Sequence, residues 1–305
     1  MLSPAGMVQV ILALVFAPLM PGIINRTKAA FAGRRGQPWL QAYRDLWKLL
    51  HKSAVYSRTT TVLFVLGPIV GCAATCLALV FVPLGGSPAL VSFRGDFLLV
   101  AYLLGVARFF TVTAALDTGS SFEGMGASRE VFFSALTEPA FLLGMTTLAA
   151  AFRATSLTEI YAGIEAGALG SGGGPAVFLV AAAMFVVFLA ENARIPVDDP
   201  NTHLELTMIH EVMVLDHSGP DFAMIQYGAC LKMWILGTLL MGVLIPIHTG
   251  SLIADLGKGL ASMAFLAVLT GAVESLMARL RLVRVPQFLI AASALSIVAL
   301  VLAMR

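Results

Sequence analysis

Charge is scarce in this chain. Of its 305 residues, 12% are Asp, Glu, Lys or Arg, against roughly 25% in soluble domains. Hydrophobic residues make up 59%, against roughly 45–50%, and mean hydropathy is +0.91. This balance excludes a soluble enzyme, a nucleic-acid-binding domain and a disordered chain. Cysteine is scarce as well. Cys72, Cys76 and Cys230 lie in or beside apolar runs, no CxxC occurs, and no Cys/His grouping has zinc or iron–sulfur spacing. The i,i+4 pair Cys72/Cys76 reads as packing residues, so no metal and no cofactor is expected, and any redox carriers must sit on other subunits. Two further absences matter. No Lys or Arg precedes the first apolar run, so a cleaved signal sequence is not expected. The short alternating segments of a membrane β-barrel are missing. A Gly-rich stretch, 168–175, lacks the strand and helix context of a phosphate loop and reads as a flexible loop.

What the chain has is long apolar runs. A hydrocarbon core about 30 Å thick needs roughly 20 apolar residues of helix. Runs of this kind are Gly6–Ile24, Val62–Val82, Phe97–Leu116, Val131–Phe152, Ala176–Ala190, Ala229–Ile247, Gly259–Met277 and Val285–Met304. Backbone polar groups must be satisfied inside lipid, so each should be a helix. The expected fold class is an all-α polytopic membrane protein. It has about eight transmembrane helices, with a broken helix or loop region after span five, in a single membrane domain over 1–305.

Orientation follows from the basic residues. Arg26, Lys28, Arg34, Arg35, Arg44, Lys48, Lys52 and Arg58 follow span one, with Asp45 as the only acid among them. This densest basic stretch, 25–61, should be cytoplasmic. An alternating path then puts Arg129, Arg194, Arg279, Arg281 and Arg284 on the same side and leaves Arg94, Arg153, Lys258 and Arg305 outside. Main loops are expected in the cytoplasm, both termini outside, with 117–130 and 191–228 as cytoplasmic functional loops. Within the basic stretch, Gln41 to Lys52 reads as an amphipathic helix with Leu46, Leu49 and Leu50 on one side. Two readings apply: an interfacial helix held by anionic lipid, or a docking surface for a soluble partner.

Ionisable residues at membrane depth default to functional candidates. Arg108 lies mid-span with nothing in its own helix to neutralise it within one turn, so a carboxylate from another helix is expected. Glu138, before Pro139, reads either as a functional acid or as a helix-start carboxylate. Asp117 closes span three, and Glu123, Arg129 and Glu130 follow in the next short loop. Glu274 is expected at an interface, Lys232 and His248 at the flanks of span six.

The heaviest concentration follows span five. Glu191, Asp198, Asp199, Glu205, Glu211, Asp216 and Asp221 face one base, Arg194. Apolar residues between them, including Leu204, Met208, Ile209 and Val212, point to a partly buried polar helix or re-entrant segment. Glu191 and Arg194 are i,i+3 and can pair on one helix face. Pro196 and Pro200 then break the helix. His203, His210 and His217 recur every seven residues, about 10 Å apart per step on one helix face, too far for one metal. His210-Glu211 fails HExxH because position 214 is Val. Imidazoles and carboxylates along a face suit proton relay, with a satisfied structural network as the other reading.

At these residues a resemblance enters. The run from Glu191-Asn-Ala-Arg194 through Asp198-Asp199-Pro200 to His203-Leu-Glu205 resembles the central loop of the complex I subunit 1 family. It is most similar to the hydrogenase branch: formate hydrogenlyase subunit 4, hydrogenase-4 component C and the membrane subunits of energy-converting nickel–iron hydrogenases. Arg34-Arg35-Gly36…Gln41-Ala-Tyr43-Arg44-Asp45-Leu-Trp-Lys48 and Gly119-Ser-Ser-Phe-Glu123-Gly-Met-Gly126-Ala-Ser-Arg129-Glu130…Glu138-Pro139 are similar to two further stretches of that family. Asn201 and His203 stand where the complex I form has Glu, and Asp216-His217 where it has Glu-Tyr. These departures favour the hydrogenase branch over a ubiquinone site.

The resemblance implies a non-redox membrane anchor. Its partners would be nickel–iron hydrogenase-like large and small subunits, an iron–sulfur subunit and antiporter-like membrane subunits, in the inner membrane and with no nucleic acid. Electron transfer in the peripheral arm would be linked to proton or sodium movement. By position, Glu138, Glu191, Arg194, Asp198, Asp199, Glu205 and Glu211 are the candidates for the ion path, with Arg194 expected to hold the acids in register. Arg108, Asp117, Glu123, Glu130, His203 and His210 are secondary. Arg34, Arg35, Tyr43, Arg44, Asp45 and Lys48 are the candidates for docking. Rival readings are a quinone-binding subunit of a complex I-type oxidoreductase, a stand-alone secondary transporter, for which no internal repeat is found, and a purely structural anchor.

Overall fold

The computed structural model describes residues 4–165, 174–198, 208–246 and 250–304. They form eleven α-helices and no named strand. The first expected span is a bent pair, α1 (Pro4–Phe16) and α2 (Leu19–Phe31), at 47° to one another. Pro18 and Pro21 sit at and just after the break, where missing N–H groups interrupt the ladder. The amphipathic α3 (Gln41–Leu50) follows. Seven helices are long and apolar enough to cross a membrane: α4 (Val62–Leu79), α5 (Asp96–Asp117), α6 (Ser121–Phe152), α8 (Gly174–Glu191), α9 (Gly219–Leu244), α10 (Leu252–Leu276) and α11 (Val285–Ala303). The bent pair makes eight. A short α7 (Leu157–Glu165) lies between α6 and α8.

Helix ends follow from local chemistry. Thr61 caps α4, its hydroxyl accepting from the Leu63 N–H at 3.3 Å. The same residue donates its own N–H and hydroxyl to Asp117 at 2.6 and 2.8 Å, tying the end of α5 to the start of α4. α8 ends at Glu191 in a Schellman turn. Ala193 is left-handed (φ 48°), its N–H reaches the Ala190 carbonyl at 3.2 Å, and the Arg194 N–H reaches the Leu189 carbonyl at 2.9 Å.

α9 is the most enclosed span. It is apolar all round, as a helix surrounded by others must be. Leu231, Trp234, Ile235 and Leu240 are buried in the main core. Around it, α4 packs along α5, α11 along α6 and α8, and α2 along α10.

Four sequence expectations are corrected here. The loop expected over 117–130 is mostly the first three turns of α6, because Ser120 with Glu123 three residues on is a helix-start pattern. Likewise the end of the loop expected over 191–228 is helical: α9 starts at Gly219, which places Lys232 inside the span. Third, the described part of the acidic segment is no long polar helix. Residues Glu211–Val214 form one 3-10 turn, so His210 and His217 do not share a helix face. Apolar burial of Met208, Ile209, Val212 and Met213 holds this piece against α6. Gly126 lets it approach, since a Cβ there would lie 2.2 Å from Val212 Cγ1. Fourth, the helix breaks at Glu191, before either proline.

Candidate functional site

Arg108 finds the carboxylates its sequence position demands, three of them. From α5, its Nη2 donates to both Glu191 oxygens at 2.7 and 2.6 Å. Nη1 donates to Glu138 Oε1 at 2.5 Å. Nε lies 3.6 Å from Glu130 Oε1. On the far side of Glu191, Lys232 of α9 brings its Nζ to 2.9 Å. α5, α6, α8 and α9 thus converge on one ion cluster, in which two cations face three carboxylates. Burying charges is costly unless each is paired and hydrogen-bonded. Glu191 meets that condition, with 9% of its side chain exposed between two cations. Glu138 carries the surplus negative charge toward the surface, with 54% exposed. Glu138 is no helix-start carboxylate, since α6 runs through it and through Pro139 unbroken.

A cavity of about 420 Å³ opens on this cluster. Arg108, Glu130, Glu191, Arg194, Lys232, His210 and Glu211 are among its lining, together with Gln41 and Asp45 of α3. A separate void of about 20 Å³ touches Glu130, Glu191 and Asp198. It has room for about one water. Carboxylates, a basic wall and space for water in one place are what a hydrated ion path needs.

Arg194 does not pair with Glu191. The Schellman turn carries it off the face of α8, and its Nη1 lies 3.4 Å from Glu274 Oε1 on α10. Glu274 lies two residues before the end of α10, and it is buried among its neighbours. Its side chain has 0% exposure, and Lys28 of α2 reaches its other oxygen at 2.7 Å. Glu191 is held by Arg108 and Lys232 rather than by Arg194.

Asp198 serves the loop. It accepts from the N–H groups of Ile209 and His210 at 3.1 and 3.4 Å and from Arg279 at 2.7 Å. Arg129 holds the same loop through the Met208 carbonyl at 2.9 Å. Asp117 is occupied in capping α4. Glu123 is buried, with one oxygen accepting from the Asp216 N–H at 3.0 Å and Oε2 unpartnered. Asp199, His203, Glu205 and His248 lie outside the described residues.

Of the docking candidates, Arg34, Arg35, Arg44 and Lys48 are exposed. Tyr43 donates to the Val15 carbonyl, and burial pushes its phenol up. Asp45 accepts from Gln41 Nε2 at 2.8 Å. Trp39, Leu40, Trp47 and Leu50 are exposed beside these cations, which suits both readings of the segment.

Sequence reasoning missed Lys232, Lys28 and Glu274. Lys232 carried a signal, a lone cation four residues into an apolar run. In the sequence Glu274 reads only as an interfacial residue and Lys28 only as part of the basic stretch, because their partners are distant in sequence.

Comparison with known proteins places the chain in a family. The sequence matches the NADH dehydrogenase family over residues 5–304. It is 32% identical over 284 residues to formate hydrogenlyase subunit 4 of Escherichia coli K12, covering 90% of each chain. Hydrogenase-4 component C of the same organism is 28% identical over 280 residues, covering 90% of this chain and 87% of that one. A chain of the membrane-bound sulfane sulfur reductase, an archaeal respiratory membrane complex, superposes with a TM-score of 0.82 at 20% identity, over 98% of each chain. That last likeness concerns the fold.

Proposed function

The chain belongs to the NADH dehydrogenase family (complex I subunit 1-like), and on that premise we propose that it is the non-redox membrane anchor and ion-coupling subunit of a membrane-bound nickel–iron hydrogenase complex. Its relatives are membrane subunits of hydrogenase and complex I-type respiratory complexes. The assignment to the formate hydrogenlyase or hydrogenase-4 kind rests on the two relatives that cover most of its length. In this reading the protein sits in the inner membrane with its main loops in the cytoplasm and both termini outside. Hydrogenase-like large and small subunits and an iron–sulfur subunit dock on the α2–α3 arm, and antiporter-like subunits lie beside it in the bilayer.

One observation carries the coupling role: the Arg108 cluster, with more carboxylates than cations, lining a cavity. Charge interactions are strong where water is few. A charge arriving at the cytoplasmic end of the cavity therefore changes how Glu191 shares Arg108 and Lys232 with its neighbours. A proton entering the cluster neutralises the surplus carboxylate. The paired groups then redistribute among α5, α6, α8 and α9, and carry the change into the helix bundle.

The test is Glu191→Gln in the assembled complex. Ion movement per electron pair, measured in sealed vesicles, should fall about tenfold, because loss of one shared carboxylate breaks the link between the two processes. Parental stoichiometry would remove Glu191 from the mechanism. A quinone-binding subunit of a complex I-type oxidoreductase is the second reading, because the cavity lies within the roughly 300–1,000 Å³ of small-molecule sites. Quinone-dependent turnover of the purified complex separates the two.

A further inference from the structure

Glu274 is a fully buried carboxylate that holds two cations arriving from different directions. Lys28 comes from α2, the C-terminal half of the bent first span, with its Nζ at 2.7 Å. Arg194 comes from the turn that leaves α8 three residues after Glu191, at 3.4 Å.

Each side is fixed mechanically. On the α2 side, Arg26 donates to the Gly36 and Gln37 carbonyls at 3.2 and 3.5 Å and lies 5.7 Å over the Trp39 ring. The basic stretch around Arg34 and Arg35 therefore rides on α2. α2 is seated on α10 one turn from Glu274, where a Cβ on Gly271 would lie 2.9 Å from the Ile24 carbonyl oxygen. On the α8 side, the Arg194 N–H closes the Schellman turn onto Leu189, which fixes Arg194 relative to Glu191. One carboxylate thus joins a surface arm to the turn beside the Arg108 cluster.

We propose that Glu274 is a positioning residue. It sets Arg194, and with it the turn after Glu191, against the α2 arm, so that movement of the arm is transmitted to the Arg108 cluster. This inference rests on the coupling role above. It requires that Glu274 act through charge, since a packed core is discrete in its arrangements and a lost ion pair frees one side from the other.

The experiment uses the assembled complex in sealed vesicles. Glu274→Gln keeps the shape and removes the charge. Ions moved per electron pair should fall at least fivefold, while electron transfer to a soluble dye stays within twofold. Glu274→Asp should recover coupling, and the double variant Lys28→Gln/Glu274→Gln should lose no more than Glu274→Gln alone. A merely structural carboxylate would lower yield and thermal stability and leave the stoichiometry untouched. Parental stoichiometry in Glu274→Gln, or additive losses in the double variant, overturns the proposal. If Glu274→Gln does not assemble, Lys28→Gln decides: lost coupling supports the proposal and parental coupling overturns it. Failure of both to assemble also overturns it, since the pair then serves folding. Glu191→Gln is the control. If it too keeps full coupling, the coupling role itself fails; if it alone uncouples, only the role of Glu274 fails.

Discussion

Two ion clusters flank the turn at residues 191–194, built from the same parts and balanced in opposite directions. Around Arg108, two cations serve three carboxylates. Around Glu274, two cations serve one carboxylate. The surplus on the second side is cheap, because Lys28 keeps 23% of its side chain exposed and its long stem can carry the ammonium toward water or lipid headgroups. Glu138, which carries the surplus on the first side, sits halfway along a 32-residue helix at the middle of its span. Its carboxylate is paired with Arg108. On the proposed coupling role, the cation-rich cluster serves as the fixed link and the acid-rich one is where a proton changes the balance.

Removing Arg108 should break the comparison most severely. Arg108→Met leaves three carboxylates to Lys232 alone, and stripping one partner from a buried pair costs about 3–5 kcal/mol. Thermal unfolding of the purified chain in detergent should show that loss. Adding Glu138→Gln should restore part of it, because the surplus charge is then gone. An Arg108→Met protein as stable as the parent would mean that the cluster is wetter than its geometry implies.

Steric separation sharpens the comparison with a smaller effect. Gly271→Ala drives a methyl toward the Ile24 carbonyl oxygen and Thr27, and Gly126→Ala drives one into Val212. Overpacking of this kind costs roughly 1–3 kcal/mol. The first should loosen α2 from α10 and leave the loop alone. The second should loosen 208–214 from α6 and leave α2 alone. Hydrogen exchange of the two segments measures each separately, and crossed effects would show that the α2–α10 seat and the 208–214 seat are not separate packing contacts.

What the sequence disclosed and what it concealed divide along the same physical line. Span positions were legible because about 20 apolar residues are their own signal, and seven helices together with a bent pair match the expected eight. Arg108 was legible as a charge without a local partner. Its partners Glu138 and Glu191 were named, yet nothing in the chain order says that they meet. Pairing is set by how α5, α6, α8 and α9 pack, and Arg108 and Glu191 are 83 residues apart. The i,i+3 rule misplaced Arg194 because it assumes that the helix continues. The left-handed Ala193 ends it, and alanine, unlike glycine, gives no notice of such a turn. Period-seven histidines suggested a helix face where the chain forms a 3-10 turn, since apolar burial of Met208 to Val214 outweighs the periodicity.

The smallest expected effect comes from a group belonging to neither cluster. His217 stacks on Phe64 at 3.9 Å and 9° between planes, and its Nδ1 is buried without a partner. Burial pulls its imidazole below the usual value near 6.5, while Asp221 and Asp216 act in the other direction and do not cancel it. The folded state therefore holds this histidine neutral where the unfolded chain would already bind a proton. Stability then rises with pH through that window. His217 contributes fully above 6.5 and its contribution is lost as pH falls, until the folded form is protonated too. Protection of residues 208–218 from hydrogen exchange, compared at equal intrinsic rates, should weaken as pH falls below the usual value near 6.5. His217→Phe keeps the stacking and removes the titration, so its profile should be flatter than the parent's, with Asp216 and Asp221 common to both. An unchanged profile would mean that His217 is not the source of the pH response.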